Sequence, residues 1–282
     1  MRGADARSEQ MYDLELKDVE LHFGGLVVLN RVSLGVQSGE LLALIGPNGA
    51  GKTSIFNCIS GLYRPSGQID FLGTSLVGKK PSAIAEMGIG RTFQHAELIP
   101  RMNARENLLV ARHNHLKATL AEQWFRLPSA RREEAEHLAV VNDVLEMLSL
   151  THLAHLPVSG LPFGIQKIIG FGRALVAEPK VLLMDEPSAG LTQEEREELA
   201  YHIDAAKKQL GIPMLWIEHD MEMVAAIADR IHVLDYGRSI GDGPPDEVLD
   251  NPEVVRAYLG TTQLTQGGAD VAAPREEGVT PV

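Results

Sequence analysis

Apolar residues partly alternate from Leu14 to Val36 (Leu14, Leu16, Val19, Leu21, Phe23, then Leu34, Val36). A period near two predicts antiparallel strands, with a turn at Gly24–Gly25. Leu41–Ile45 (LLALI) is a short unbroken apolar run, the pattern of a parallel strand buried on both faces. A glycine-rich loop follows, then a helix running to about Ile59. Gly67–Gly73 (GQIDFLG) predicts another sheet edge. From about His95 to Leu175 the chain is rich in Ala, Leu, Glu and Arg. Helical spacing at Leu138, Val141, Val144, Leu145 and Leu148 predicts a mostly helical subdomain over about 95–175. Inside it, the charge-rich stretch 112–136 predicts a surface insertion. After Val181 the alternation of strands and helices returns: VLLMDE, a polar helix over Gln193–Leu210, IPMLWIE, a second helix, and IHVLDYG. Buried strands alternating with helices predict an α/β fold with a parallel sheet. Residues 1–13 predict a flexible start and 261–282, rich in Gly, Ala, Thr and Pro, a disordered tail. No internal repeat is visible.

Composition narrows the function classes. The 282 residues are 44% apolar, enough for a sizeable core, and the net charge is −12. That acidic balance argues against a nucleic-acid-binding protein, which would show a basic face. A single cysteine, Cys58, allows no internal disulfide and fits a reducing compartment such as the cytosol. The first residues show no apolar signal region. The longest apolar runs are strand-sized, whereas a membrane span needs about 20 apolar residues. A role at a membrane would therefore need a partner to hold the chain there.

Gly46-Pro47-Asn48-Gly49-Ala50-Gly51-Lys52-Thr53 fits the pattern G-x-x-x-x-G-K-[ST]. Glycines let backbone N–H groups turn inward toward phosphates. The helix that follows presents its N-terminal N–H groups and dipole to the same anion. Lys52 would reach the β- and γ-phosphates, Thr53 would offer its hydroxyl to Mg²⁺, and Ser54 continues the run of donors. The pattern follows a buried apolar run and opens a helix, which is the context it requires. ATP binding follows as the expectation.

Two further strand ends carry chemistry. Val181–Glu186 is an apolar strand ending in two carboxylates, and ligand sites of parallel sheets lie at the C-terminal ends of strands. Asp185 is placed to hold Mg²⁺ through water, and Glu186 to orient or deprotonate an attacking water. His219 follows IPMLWIE; there a ring N–H could donate to charge developing on a γ-phosphate. His113, His115, His152 and His155 have no third ligand in sight and read as surface residues.

Together these motifs resemble the ATP-binding subunits of ABC transporters over about Leu14–Gly260. The resemblance makes 14–260 one ABC ATPase domain. Its expected fold is a RecA-like P-loop core with a parallel sheet, an N-terminal antiparallel β subdomain and a helical signature subdomain. It implies that Phe23 stacks on adenine, and that Gln94 is the Q-loop residue that contacts Mg²⁺ and senses the membrane subunits. Leu161-Pro162-Phe163-Gly164-Ile165 falls on the signature L-S-G-G-Q, so Phe163 and Gly164 would contact nucleotide in trans. Asp185 and Glu186 take the metal and catalytic positions, Ala189–Thr192 the D-loop, and His219 the switch histidine. Phe23–Leu26, Gly88–Gln94, the insertion after Asn107, EPSAGL, IEHDMEMV and GDGPPDEVLDNPEVVRAYLG are similar to the branched-chain amino acid importer branch.

The resemblance implies a peripheral ATPase at the cytoplasmic face of a bacterial inner membrane, coupled to permease subunits and, through them, to a periplasmic or extracellular solute-binding protein. It implies a head-to-tail dimer with a second, related ATPase, a homodimer being the alternative. The cargo would be branched-chain amino acids or related small polar solutes. Three positions depart from the family pattern: Pro162 lacks the signature hydroxyl, Ile165 replaces the signature glutamine with Gln166 one place late, and Thr192 replaces the D-loop aspartate. Gly170 and Gly172 would each weaken the helix after the signature by roughly 1 kcal/mol relative to Ala. Rival readings are a non-transport ABC ATPase, a non-hydrolysing regulatory subunit and a plain P-loop kinase. The last leaves the signature, Q-loop and D-loop positions unexplained.

Overall fold

The computed structural model describes residues 12–92, 98–116 and 127–258, together with 122, 124 and 125. In chain order, β1 (Leu14–Phe23), β2 (Leu26–Val36) and β3 (Leu41–Ile45) precede α1 (Lys52–Ile59). Next come β4 (Ser66–Phe71), β5 (Thr74–Ser75), α2 (Pro81–Glu86) and β6 (Ile89–Thr92). A helical stretch follows, with α3 (Ala104–Ala111), α4 (Pro128–Met147) and α5 (Phe163–Leu175), and with short 3-10 turns at Arg112–His115, Thr151–Leu153 and Val158–Gly160. The chain then returns to strands and helices with β7 (Val181–Asp185), α6 (Gln193–Leu210), β8 (Met214–Ile217), α7 (Met221–Ile227), β9 (Arg230–Asp235), β10 (Arg238–Gly243) and α8 (Pro245–Leu249). A final helix, α9, covers 252–258.

Two sheets form. The first is antiparallel, in the order β2-β1-β4-β5, and the second has six strands in the order β10-β9-β3-β8-β7-β6. In the second, β9, β3, β8, β7 and β6 run parallel, and only β10 is antiparallel to its neighbour. Gly67–Gly73, read as a sheet edge, instead supplies β4 inside the first sheet; the edge belongs to the two-residue β5.

Strand periodicity splits the core into two halves. Leu41, Ala43, Ile45, Leu182, Met184, Met214 and Trp216 face the cluster formed with the long helices. Leu42, Leu44, Val181, Leu183, Leu215 and Ile217 face the other cluster, with α1 and the antiparallel sheet. Successive side chains of a strand point to opposite faces, so an unbroken apolar strand serves both. Each fully buried Leu or Ile contributes roughly 1.5–3 kcal/mol of transfer free energy.

The helices are set by identifiable local chemistry. Thr192 caps α6 through a capping box with Glu195, and Gly211 ends it at φ 62 in the left-handed region. Gly172, expected to weaken α5, lies where the helix packs tightly on its neighbours. A Cβ on it would lie 2.9 Å from Leu148 Cδ1 and 3.2 Å from Leu108 Cδ2. The lost propensity is offset by close approach of α5 to α3 and α4. Cys58 is buried on α1 within the core, and burial pushes its thiol up to about 12.

Candidate nucleotide and hydrolysis site

Three adjacent strands, β3, β8 and β7, deliver the loop 46–51, His219 and Asp185-Glu186 to one edge of the sheet. Because β8 lies between the other two, His219 sits between the loop and the carboxylates.

The loop is shaped by its neighbours. Gly46 has φ +147, and a Cβ there would fall 2.0 Å from the Leu234 carbonyl oxygen. Gly51 has φ +107, and a Cβ there would meet Leu29 Cδ2 at 2.8 Å and the Val28 carbonyl oxygen at 3.1 Å. Gly237 donates its N–H to the Ala50 carbonyl at 2.9 Å. Thus β2 and the β9–β10 turn press on the loop from outside, while Asn48 and Gly49 at its tip are exposed. Helix α1 starts at Gly51 with no side-chain cap and no acidic residue in its first turn. Its first N–H groups are therefore suited to an anion from outside the chain.

Lys52 is buried, and its Nζ donates to the carbonyls of Gly46 at 2.6 Å and Pro47 at 3.1 Å. Burial draws its ammonium below the ordinary lysine range, while the charges of Glu186 and Asp185 act in the other direction. Thr53 is exposed and Ser54 half-buried. Phe23, at the end of β1, is half-exposed and meets Tyr63 edge to face at 5.1 Å.

Glu186 adopts φ 47, a left-handed conformation that costs a glutamate about 1–2 kcal/mol. Its N–H donates to the Ile217 carbonyl at 3.0 Å, extending the β7–β8 pairing by one residue. Its Oε1 lies 2.8 Å from His219 Nε2. A carboxylate only accepts, so His219 carries a proton on Nε2 and donates it.

Several residues that sequence reasoning passed over complete the edge. Arg91 on β6 binds Asp185 at 2.8 Å, and both are nearly buried. Its guanidinium also donates to Asn57 Oδ1 at 2.9 Å and lies 5.5 Å from the centre of the Phe56 ring. Glu218 is 3% exposed. Its carboxylate accepts the Ser188 hydroxyl at 2.7 Å and the His219 N–H at 2.8 Å, which fixes the backbone that carries the histidine. Lys167 of α5 is buried, and burial draws its ammonium below the ordinary lysine range, while the charges of Glu218 and Glu186 act in the other direction. The position of Glu218, immediately before His219 at the end of an apolar run, was an available signal.

Phe163 and Gly164 join a different group. Phe163 is half-exposed, with Lys167 Nζ 5.5 Å from its ring centre. Gly190 approaches the same ring so closely that a Cβ on it would lie 3.3 Å from Phe163 Cε1. Gly164 donates its N–H to Glu195 Oε1 at 3.0 Å. Gln166, the displaced signature glutamine, donates its side-chain amide to the Leu161 carbonyl at 2.9 Å. Gln94 lies outside the described residues. His115, read as a surface residue, is half-buried and donates to the Ala177 carbonyl at 2.9 Å.

Among the described residues no group of three or more His, Cys, Asp or Glu side chains could cage an ion. A divalent ion here would draw most of its shell from water and phosphate, with a hydroxyl and a carboxylate from the chain. Mg²⁺ accepts that arrangement, and Thr53 and Asp185 supply hard oxygen donors of the right kind.

The comparisons agree with this geometry. A family model described as "ABC transporter" matches residues 29–189, more than half of the chain. A second, "Branched-chain amino acid ATP-binding cassette transporter", matches residues 238–262. The chain is 41% identical over 248 residues to the high-affinity branched-chain amino acid transport ATP-binding protein LivG of Escherichia coli K12, covering 88% of this chain and 97% of that protein. It is 39% identical, with the same coverage, to the corresponding protein BraF of Pseudomonas aeruginosa. Among solved structures, the ADP conformation of an ATP-binding cassette of an ABC transporter superposes with a TM-score of 0.77. That cassette has 31% identity, with 89% of this chain and 99% of the other covered. A nucleotide-free cassette gives a TM-score of 0.75 at 31% identity, with 88% and 99% covered. In sequence and in fold, the chain belongs to the ABC transporter family as one of its ATP-binding cassettes.

Proposed function

We propose that this chain is the ATP-hydrolysing motor of an importer for branched-chain amino acids or related small polar solutes. The observation that carries the hydrolytic part is the pairing of a strained Glu186 with His219 at 2.8 Å, at the same sheet edge as buried Lys52. The cargo rests on what the relatives are named for and on the match at residues 238–262.

In this reading the loop N–H groups and Lys52 hold the β- and γ-phosphates, and Phe23 packs on the adenine. Ser54 and Thr53 extend the donor set at the start of α1. Mg²⁺, when bound, neutralises phosphate charge; Thr53, Asp185 and Gln94 are the residues that would hold it. Glu186 accepts a proton from the attacking water, and His219 orients that carboxylate through its Nε2–H. Arg91 holds Asp185, and Glu218 holds the backbone of His219. Phe163 and Gly164 serve the nucleotide of a second cassette in a head-to-tail dimer, most simply a related ATPase.

The family makes permease subunits the partners of this chain. On the family's pattern we place the chain peripherally, on the cytoplasmic face, with a solute-binding protein acting across the bilayer; among the described residues no helix is long and apolar enough to cross a membrane. A groove of about 460 Å³ beside β6, lined by Ile84, Thr92, Phe171 and Ala174 among others, supports docking of a permease segment there.

The test is ATP turnover by the chain, wild type beside Glu186→Gln, with ATP binding followed in both. Turnover should fall about 10²- to 10⁴-fold in the variant, the usual contribution of a general base, while binding is kept. Normal turnover in Glu186→Gln sinks the base assignment. A wild type that binds ATP yet stays silent with its partner cassette and permease added favours the non-hydrolysing reading, for which the missing hydroxyl at Pro162 is the motive.

A further inference from the structure

The signature segment supplies no side-chain cap of its own at the start of α5. Pro162 occupies the N-cap and offers no side-chain acceptor. Its place is taken by a residue from another element. Glu195, in the first turn of α6, accepts the Thr192 N–H on Oε2 at 2.9 Å and the Gly164 N–H on Oε1 at 3.0 Å. Thr192 Oγ1 returns a bond by accepting the Glu195 N–H at 3.3 Å. One carboxylate thus sits at the N-termini of two helices, where both dipoles favour negative charge. The two backbone donors, Thr192 first and Gly164 second, hold its carboxyl below the usual range.

The seat is sterically specific. A Cβ on Gly164 would lie 2.7 Å from Glu195 Oε1 and 2.8 Å from its Cγ. Gly190 lies close by: at φ +82, a Cβ on it would stand 3.3 Å from Phe163 Cε1. The end of the D-loop at Thr192 and the signature start at Gly164 are therefore fastened through one carboxylate.

We infer that Glu195 is a positioning residue that locks the signature helix to the D-loop, so that both reach the partner's nucleotide as one rigid piece. The inference rests on the proposed sandwich dimer, in which Phe163 and Gly164 act in trans. The bland alternative is that Glu195 only caps α6 and touches Gly164 incidentally.

Glu195→Gln separates the two. Glutamine serves in a capping box as glutamate does, so its Oε1 can keep the Thr192 N–H. Its other end is an NH₂ group, which cannot accept from Gly164. The experiment measures ATP-driven association of the full-length chain carrying Glu186→Gln, with Mg²⁺ present, alone and with the partner cassette. Adding Glu195→Gln should weaken association about tenfold, the scale of one lost charge-assisted hydrogen bond. ATP binding to the single chain should stay within about twofold, because that site is built from other elements. Gly164→Ala should weaken association similarly by displacing the carboxylate, and the two changes together should be no worse than the stronger one alone. Unchanged association in Glu195→Gln overturns the inference and leaves the cap. Failure of the parent Glu186→Gln chain to associate under any of these conditions overturns the sandwich reading first, and this inference with it.

Discussion

The two ends of this cassette organise backbone N–H groups in opposite ways. At the phosphate loop, the conformation is set by close neighbours, Gly46 against the Leu234 carbonyl and Gly51 against Leu29 and the Val28 carbonyl, and by the hydrogen bond from the Gly237 N–H to the Ala50 carbonyl. At the signature, the start of α5 is held by the reach of one flexible carboxylate from α6. At the first end, a side chain at Gly46 would fall on the Leu234 backbone. The second departs from the family pattern at Pro162 and Ile165, and the hydrogen bonds there run from Gly164 to Glu195 and from Gln166 to the Leu161 carbonyl. Rigid demand keeps a motif recognisable; a distributed solution lets it drift.

The largest effect should come from breaking the rigid end. Gly46→Ala places a Cβ 2.0 Å from the Leu234 carbonyl oxygen, at a φ of +147 that an L side chain rarely adopts. Either the loop or β9 must move. We expect a loss of at least about 3 kcal/mol in stability, together with loss of ATP binding, read by thermal melting and equilibrium binding. Retention of wild-type binding would show that the loop is less constrained than its contacts indicate.

A middle-sized effect should come from a scaffold cluster distant from either end, which calibrates the comparison. Arg230 Nη1 binds Asp242 at 2.8 Å and its Nε binds Glu40 at 2.6 Å, while His232 Nδ1 lies 2.6 Å from Asp242. Burial pushes the Asp242 carboxyl up, but the hydrogen bonds from His232 and Arg230 prevail and leave it below its ordinary 3.8. A depressed carboxyl contributes stability that is present above the unfolded value and lost as pH falls through the folded one. Its contribution therefore persists at neutral pH and drains away below about pH 4. Asp242→Asn should cost about 1–2 kcal/mol at pH 7 and flatten the melting curve's dependence on acid pH. Turnover per folded molecule should not change; a specific loss of turnover would tie this edge to the chemistry.

The same contrast explains what could be read from the chain. The parallel sheet was legible because Leu41–Ile45, 181–184 and Met214–Ile217 are buried on both faces and read as unbroken apolar runs. Helix α6 was legible because Thr192 and Gly211 mark its ends. The phosphate loop announced itself through glycines that only its backbone geometry demands. Arg91, Glu218 and Glu195 were missed because each acts on a partner 94, 30 or 31 residues away. A side chain reaching a distant group leaves no period and no spacing. Even so, Thr192-Gln193-Glu194-Glu195 has the form of a capping box, and the second oxygen of its glutamate was the clue left unused.

The smallest effect, and the sharpest probe of the flexible end, is Pro162→Ser, which restores the hydroxyl that the family pattern carries. Two terms nearly cancel in stability. Proline at φ −53 restrains the unfolded chain, and losing it costs about 0.4–1 kcal/mol. A serine N-cap returns about 1 kcal/mol by accepting from the second or third N–H of the helix. The second of these, on Gly164, is already held by Glu195 at 3.0 Å, so the new hydroxyl is left with that of Ile165. The melting temperature should therefore shift by no more than about 3 °C. Because Glu195 already organises the helix start, ATP turnover should change by less than about threefold. A tenfold gain would mean that the missing hydroxyl, and not the seat built by Glu195, limits this cassette, and the two ends would then differ in quality and not only in design.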